Sequence, residues 1–236
     1  MNVHTKVAAI GRAKALAARF PVYSPTVQMI MEYSRFGTWL KKEVNRSVPS
    51  FPGRRELYEF VTRSVLGGSP VDLLEFGVFR GESMRLWADA SGHPDSRFVG
   101  FDGFEGLPEK WQHLTFTDDA HTFDVGGAIP SIDDRRVSFV KGWFQDTLPV
   151  FLQTFKSQGQ LIIHLDADLY SSTLFVLTAV APHVVPGTVM LFDEFSSTSM
   201  AEFRAFIDYS SAYRCRYRVL AWSGAFYDQL CVQVLE

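Results

Sequence analysis

Apolar residues recur at helical spacing through the first quarter of the chain and then give way to short strand-like runs. "VAAIGRAKALAARF" (7–20) and "TVQMIMEYSRFGTWLKKEV" (26–44) each predict a helix, and "NRSVPSFPGRR" (45–55) reads as a Pro-rich connector. "RRELYEFVTRSVL" (54–66) predicts a third helix that stops at "GGSP". From residue 71 onward, apolar runs at 72–77, 97–102, 137–142, 160–166 and 188–195 alternate with helical patterns at 82–90, 146–156, 171–182 and 198–209. That alternation is the signature of βα units and a parallel sheet. "YRVLAW" (217–222) and "QLCVQVL" (229–235) flank the turn "SGAFYD" and predict a closing antiparallel hairpin. The expected fold is α/β and Rossmann-like: five parallel strands plus the hairpin, helices on both faces, and a helical extension over residues 1–55 that leads into a domain at 56–236.

Composition narrows the function. The 236 residues are 47% hydrophobic, which suffices for a sizeable core, and Phe, with 21 copies, points to aromatic packing or a partly apolar ligand cleft. A formal charge of −3 argues against a nucleic-acid binder, because proteins that track phosphates carry a basic excess. Small molecules are the expected partners. Cys215 and Cys231 sit in no zinc-like spacing, and their low number fits a reducing compartment. No stretch approaches the roughly 20 apolar residues that cross a bilayer. The basic N-terminus reads as an ordinary amphipathic helix rather than a targeting segment, so the expectation is a soluble cytoplasmic protein with no membrane partner.

Each of the five predicted strands ends in Gly or an acid, and in an open α/β sheet ligands bind outside the carboxyl ends of the strands. In "LLEFGVFRGESM", Glu75, Gly77 and Gly81 precede a helix whose N-terminus, with Ser83, offers hydrogen-bond donors. The spacing is not GxGxxG, which weighs against a pyrophosphate, and an acid ahead of the glycines suits a cationic or amino-bearing ligand. Asp102, ending the second strand, stands where an acid accepts from ribose hydroxyls. Together these turns suggest a nucleoside without a phosphate chain, and S-adenosylmethionine fits. With strand order 3-2-1-4-5, "HLDADLY" and "LFDEF" become neighbours, so Asp166, Asp168, Asp193 and Glu194 converge. Four such carboxylates need a compensating cation, and an all-oxygen set selects a hard ion such as Mg²⁺ or Ca²⁺. His164, inside an apolar run, is expected as a packed, hydrogen-bonded residue rather than a ligand. The polar stretch 111–135 has the character of a lid or substrate loop.

"LLEFGVFRGESM", "FDGFEGLPEKW", "KGWFQDTLP", "IIHLDADLYSST" and "VMLFDEF", in this order, resemble the macrocin-type (TylF-like) sugar O-methyltransferases of macrolide and aminocoumarin antibiotic pathways. The resemblance spans about residues 55 to 195 and implies a class I methyltransferase fold. It implies Mg²⁺-dependent transfer of methyl from S-adenosylmethionine to a hydroxyl, commonly of a sugar. It assigns Asp166, Asp193 and Glu194 to the metal and Asp168 as general base. Glu194 stands where the family usually has Asp. Glu75, Gly77 and Ser83 would serve the cofactor's amino-acid tail, Asp102 its ribose, and Gly142, Trp143 and Phe144 its adenine. Related enzymes often associate through N-terminal helices, so a homo-oligomer is a further expectation. Two other readings stay open from the residues: a metal-dependent nucleotide-sugar glycosyltransferase using the DxD segment, and a non-catalytic module that keeps the fold.

Overall fold

The computed structural model describes residues 3–19, 25–44 and 47–235; the last residue of the first predicted helix and the start of the connector lie outside them. Helix α1 (Val3–Ala18) and helix α2 (Pro25–Glu43) precede a two-residue strand β1 (Ser50–Phe51), and α3 (Arg54–Glu59) continues as a π-helical turn over Phe60–Val65. The alternating region follows as β2 (Val71–Phe76), α4 (Glu82–Ala90), β3 (Arg97–Asp102), a small hairpin β4 (Trp111–Gln112) and β5 (Thr117–Asp118), and β6 (Val137–Lys141). It continues with α5 (Phe144–Leu152), β7 (Gln160–Leu165), α6 (Tyr170–Val180), β8 (Val189–Phe192) and α7 (Ala201–Ala212), and closes with β9 (Tyr217–Ser223) and β10 (Gln229–Val234).

The sheet order is β1-β9-β10-β8-β7-β2-β3-β6. Its five parallel strands take the expected 3-2-1-4-5 arrangement, and β10 pairs antiparallel with both β8 and β9. Two pieces depart from the sequence reading. The Pro-rich connector contains β1, which extends the sheet by pairing parallel to β9, and the 111–135 stretch contains the β4/β5 hairpin. Both strands are too short to leave a period in the sequence.

Strands covered on both faces need near-continuous apolar runs, and each face of this sheet has its own core. On one side Leu74, Phe76, Ile163, Leu165, Met190 and Phe192 pack against α2, α5, α6 and α7. Phe36 and Trp39 of α2 lie inside this core against Phe195 and Phe203, which accounts for part of the Phe excess. On the other side Leu73, Ile162, Val189 and Leu191 meet α3 and α4. In contrast to α2, every α1 side chain whose burial is described is exposed, including Val7, Ile10 and Leu16. Among the described residues no helix is long and apolar enough to cross a membrane.

Asp72, near the start of β2, is an acid with a structural task. It is 2% exposed and accepts from Arg97 Nε at 2.5 Å, Ser157 Oγ at 2.9 Å and the Gln158 and Gly159 amides at 2.5 and 2.9 Å. Burial would raise its pKa, but Arg97 and these backbone donors hold it below the usual value. Its stabilising effect is therefore present above the ordinary carboxylate range and lost as pH falls through the lowered value.

Candidate active site

Lateral backbone bonds bring the strand ends to one rim. Gly142 N donates to Asp102 O, Gly77 N to Phe101 O, Asp166 N to Phe76 O and Asp193 N to Leu165 O, at 2.9 to 3.0 Å. The residues just past each parallel strand thus stand side by side. They open onto a cleft lined by Gly77, Val78, Phe79, Asp102, Trp143, Phe144, Asp166, Asp168, Asp193 and Glu194, among others.

The turn after β2 is fixed from two directions. Gly77 has φ +94°, and a Cβ there would overlap the Asp166 carbonyl oxygen, so only Gly lets the two strand ends meet this closely. Asp102 accepts from the Val78 and Phe79 amides at 2.8 Å and from the Phe104 amide at 2.7 Å. These bonds clamp the turn while Asp102 still faces the cleft. Gly81, Glu75, Ser83 and Gly142 do not line the cleft. Gly81 is the N-cap of α4 and packs on Pro130 and Ile132, whereas a Cβ on Gly142 would meet Thr147. Glu75 is fully buried, hydrogen-bonded by Ser83, and its Oε2 has no partner. Burial pushes its pKa up to about 7.

Glu75 neighbours His164 in register, and His164 sits against the stacked rings of Tyr58 and Trp87. Trp87 Nε1–H donates to His164 Nδ1 at 3.2 Å, which leaves the ring proton on Nε2. That Nε2–H lies 3.4 Å from the Tyr58 hydroxyl and 3.8 Å from Asp193 Oδ1. His164, Asp166 and Asp193 can each place one ligand-type atom within 4.8 Å of the others. With its proton on Nε2 and Nδ1 occupied, His164 offers no free lone pair there. It acts as the packed, hydrogen-bonded histidine that the apolar run suggested.

The four rim acids divide by partner. Asp193, 4% exposed, accepts from Arg54 at 2.8 Å and from Gln229 Nε2 at 2.7 Å. Burial would raise its pKa, but His164, Arg54 and Gln229 bring it below the ordinary value. Asp166, Asp168 and Glu194 receive no hydrogen bond to their carboxylates from any described residue, and all three line the cleft. Burial, then Asp193 and Asp168, push Asp166 well up; burial, then Glu194 and Asp193, do the same to Asp168; Glu194 rises to about 7. Asp168 also has φ +59°, a left-handed conformation that Asp tolerates better than most residues and that recurs at functional sites. Three donorless carboxylates beside one tied to an arginine form an oxygen-rich, charge-deficient set that fits a hard divalent cation. Neither Asp168 nor Glu194 joins a group of three ligand atoms as close as that of His164, Asp166 and Asp193.

Several cleft residues were not singled out from sequence. Arg54 comes from the connector, where two adjacent arginines carry no sign of which one turns inward; Arg55 pairs with Asp89 on the surface. Behind the cleft, Glu202 is fully buried and accepts the Glu194 amide at 3.0 Å. Its apolar neighbours in "SMAEFRAF" were the available signal. Phe79 and Phe123 meet edge to face at 5.6 Å, and both line the cleft together with Trp111.

The profile of one protein family, Macrocin-O-methyltransferase (TylF), matches residues 53–219. The chain belongs to that family. The TylF match begins beside Arg54 and runs into β9, and so contains every rim acid described above. Among curated relatives, an 8-demethyl-8-(2,3-dimethoxy-α-L-rhamnosyl)-tetracenomycin-C 4′-O-methyltransferase from Streptomyces olivaceus is 33% identical over 162 residues, 61% of this chain and 60% of the relative. The chain thus spans about three fifths of the length of the curated relatives it matches. In structure, the calicheamicin methyltransferase CalS11 superposes with a TM-score of 0.62 at 24% identity, covering 76% of this chain and 77% of that one. The cmcI-D160 structure with Mg and SAM gives 0.54 at 17% identity, covering 77% and 71%. These superpositions show the class I methyltransferase fold.

Proposed function

We propose that this protein is a Mg²⁺-dependent O-methyltransferase that moves a methyl group from S-adenosylmethionine to a hydroxyl of a sugar-bearing small molecule. The observation that carries the reading is the row of donorless carboxylates, Asp166, Asp168 and Glu194, beside the clamped Gly77–Phe79 turn and Asp102. The sugar-directed relative and the magnesium-containing structural neighbour support it. Membership of the TylF family favours methyl transfer over a nucleotide-sugar glycosyltransferase or a non-catalytic module. Residues 56–236, joined by Arg54 from the end of the connector, form the catalytic part in this reading, with the helices of 1–55 as an extension through which copies associate. Two free thiols, Cys215 and Cys231, are consistent with work in a reducing cytoplasm.

Asp166 and Asp193 would hold the ion, with Glu194 supplying a third carboxylate. When bound, Mg²⁺ supplies charge that lowers the pKa of an acceptor hydroxyl, and S-adenosylmethionine supplies an electrophilic methyl. Asp168 takes the acceptor's proton as the oxygen gains the methyl group. Asp102, Trp143 and Phe144 line the same cleft; Asp102 would offer its remaining lone pairs to the ribose, and Trp143 and Phe144 would serve the adenine. Gly77 lets the ends of β2 and β7 meet beside the tail's expected place, while Glu75, Ser83, Gly81 and Gly142 shape the turns beneath. Phe79, Trp111 and Phe123 exclude water and give the acceptor an apolar wall. Incubation with S-adenosylmethionine, Mg²⁺ and a panel of hydroxylated glycosides is expected to add one methyl mass to an acceptor and release S-adenosylhomocysteine in equal amount. Binding of UDP- or GDP-sugars with no affinity for S-adenosylmethionine would overturn this function.

A further inference from the structure

We infer that Arg54 binds the carboxylate of the methyl donor's amino-acid tail, which rests on the methyltransferase reading above. Among the described residues that line the cleft, Arg54 is the one basic side chain, against the carboxylates of Asp102, Asp166, Asp168, Asp193 and Glu194. A donor with a sulfonium and an ammonium group meets favourable charge throughout such a cleft. Its carboxylate does not. Taken into an apolar-walled, acid-rich cleft without a counter-charge, that group would suffer both desolvation and repulsion. Among the described lining residues, Arg54 is the one side chain whose charge can prevent this outside the expected metal site.

The position of Arg54 suits the task. The residue opens α3 after Gly53 and reaches across to Asp193 Oδ2 at 2.8 Å, its single hydrogen-bond acceptor among the described residues. A guanidinium has five N–H donors, so most of its capacity is unused. Its side chain is 35% exposed, toward the cleft that Gly77 and Phe79 also line. The carboxylates whose charge acts on it are those of Asp193 and Asp166 at the rim and Glu82 in the first turn of α4. Arg54 thus holds a rim acid and shares the cleft lining with Gly77, Val78 and Phe79 of the β2–α4 turn, where the tail of the donor would lie. A planar fork with free parallel donors matches a carboxylate better than an ammonium would.

The test is calorimetric titration of the full chain, in Mg²⁺, with S-adenosylmethionine and with its decarboxylated analogue, which keeps the sulfonium, the amine and the nucleoside. The quantity read is the ratio of the two dissociation constants within each protein, so that any general loosening from loss of the Asp193 partner cancels. R54Q is expected to lower the preference for the carboxylate-bearing donor by about ten- to a hundredfold. R54K, which keeps the charge and loses the fork, is expected to fall between R54Q and the parent, and it carries the comparison if R54Q does not fold. A ratio unchanged within about twofold in these variants overturns the assignment. So does a parallel titration in which R54Q keeps that ratio and weakens binding of a nucleoside-diphosphate sugar, because the anion held would then belong to the acceptor. A parent protein that binds neither donor overturns the methyltransferase reading and this assignment with it.

Discussion

Replacing Asp168 by Asn is expected to lower turnover by about two to four orders of magnitude while the affinity for S-adenosylmethionine stays within about threefold. Asn is the informative replacement for two structural reasons. It tolerates the left-handed backbone that Asp168 adopts at φ +59°, so the turn after β7 is kept, whereas Ala would add strain there. No described residue donates to the Asp168 carboxylate, so the amide leaves no protein donor orphaned. Removing one of several mutually repelling buried acids should leave the melting temperature unchanged or raised. A loss of activity in a variant that melts no lower than the parent would then be chemical in origin. Steady-state kinetics with a calorimetric cofactor titration check this, and turnover within about threefold of the parent would move the base elsewhere.

Metal removal is expected to be as damaging, with turnover falling by about two orders of magnitude or more in chelator and returning with Mg²⁺. Without a cation, burial and then neighbouring acids push Asp166 and Asp168 well above the ordinary carboxylate range, which favours their protonated forms. A protonated Asp168 cannot accept another. A divalent ion among these groups lowers their pKa values, so one event supplies the charge near the acceptor oxygen and the ionised base. Because the ion competes with protons for raised carboxyls, its affinity should increase with pH, most clearly through about 7, to which burial and Asp193 push Glu194. Kinetics in chelator across this pH range check the effect, and full activity without added ion would refute it.

Much of the sheet could be read in advance because its strands are buried on both faces and announce themselves as apolar runs closed by Gly or an acid. With the strand order taken as 3-2-1-4-5, that punctuation brought Asp166, Asp168, Asp193 and Glu194 to one rim. Partner identity could not be read in the same way. Asp102 appeared as a ligand acceptor, yet three backbone amides, two of them in the turn after β2, already use it. Gly77 appeared as room for a ligand, whereas its missing Cβ is filled by the Asp166 carbonyl. Arg54 and Gln229, which tie down Asp193, lie 139 and 36 residues from it in the chain. Contacts of that kind depend on how loops return over the rim, and no local periodicity encodes them.

The gathering of rim carboxylates around a single divalent ion is tested most directly by titrating metal-free protein with Mn²⁺ and following the free-ion paramagnetic resonance signal. One ion per chain should be taken up by the parent protein, displaced by excess Mg²⁺, with uptake lost in the Asp166→Asn variant. A signal that matches buffer at every concentration, or undiminished uptake in Asp166→Asn, would contradict it.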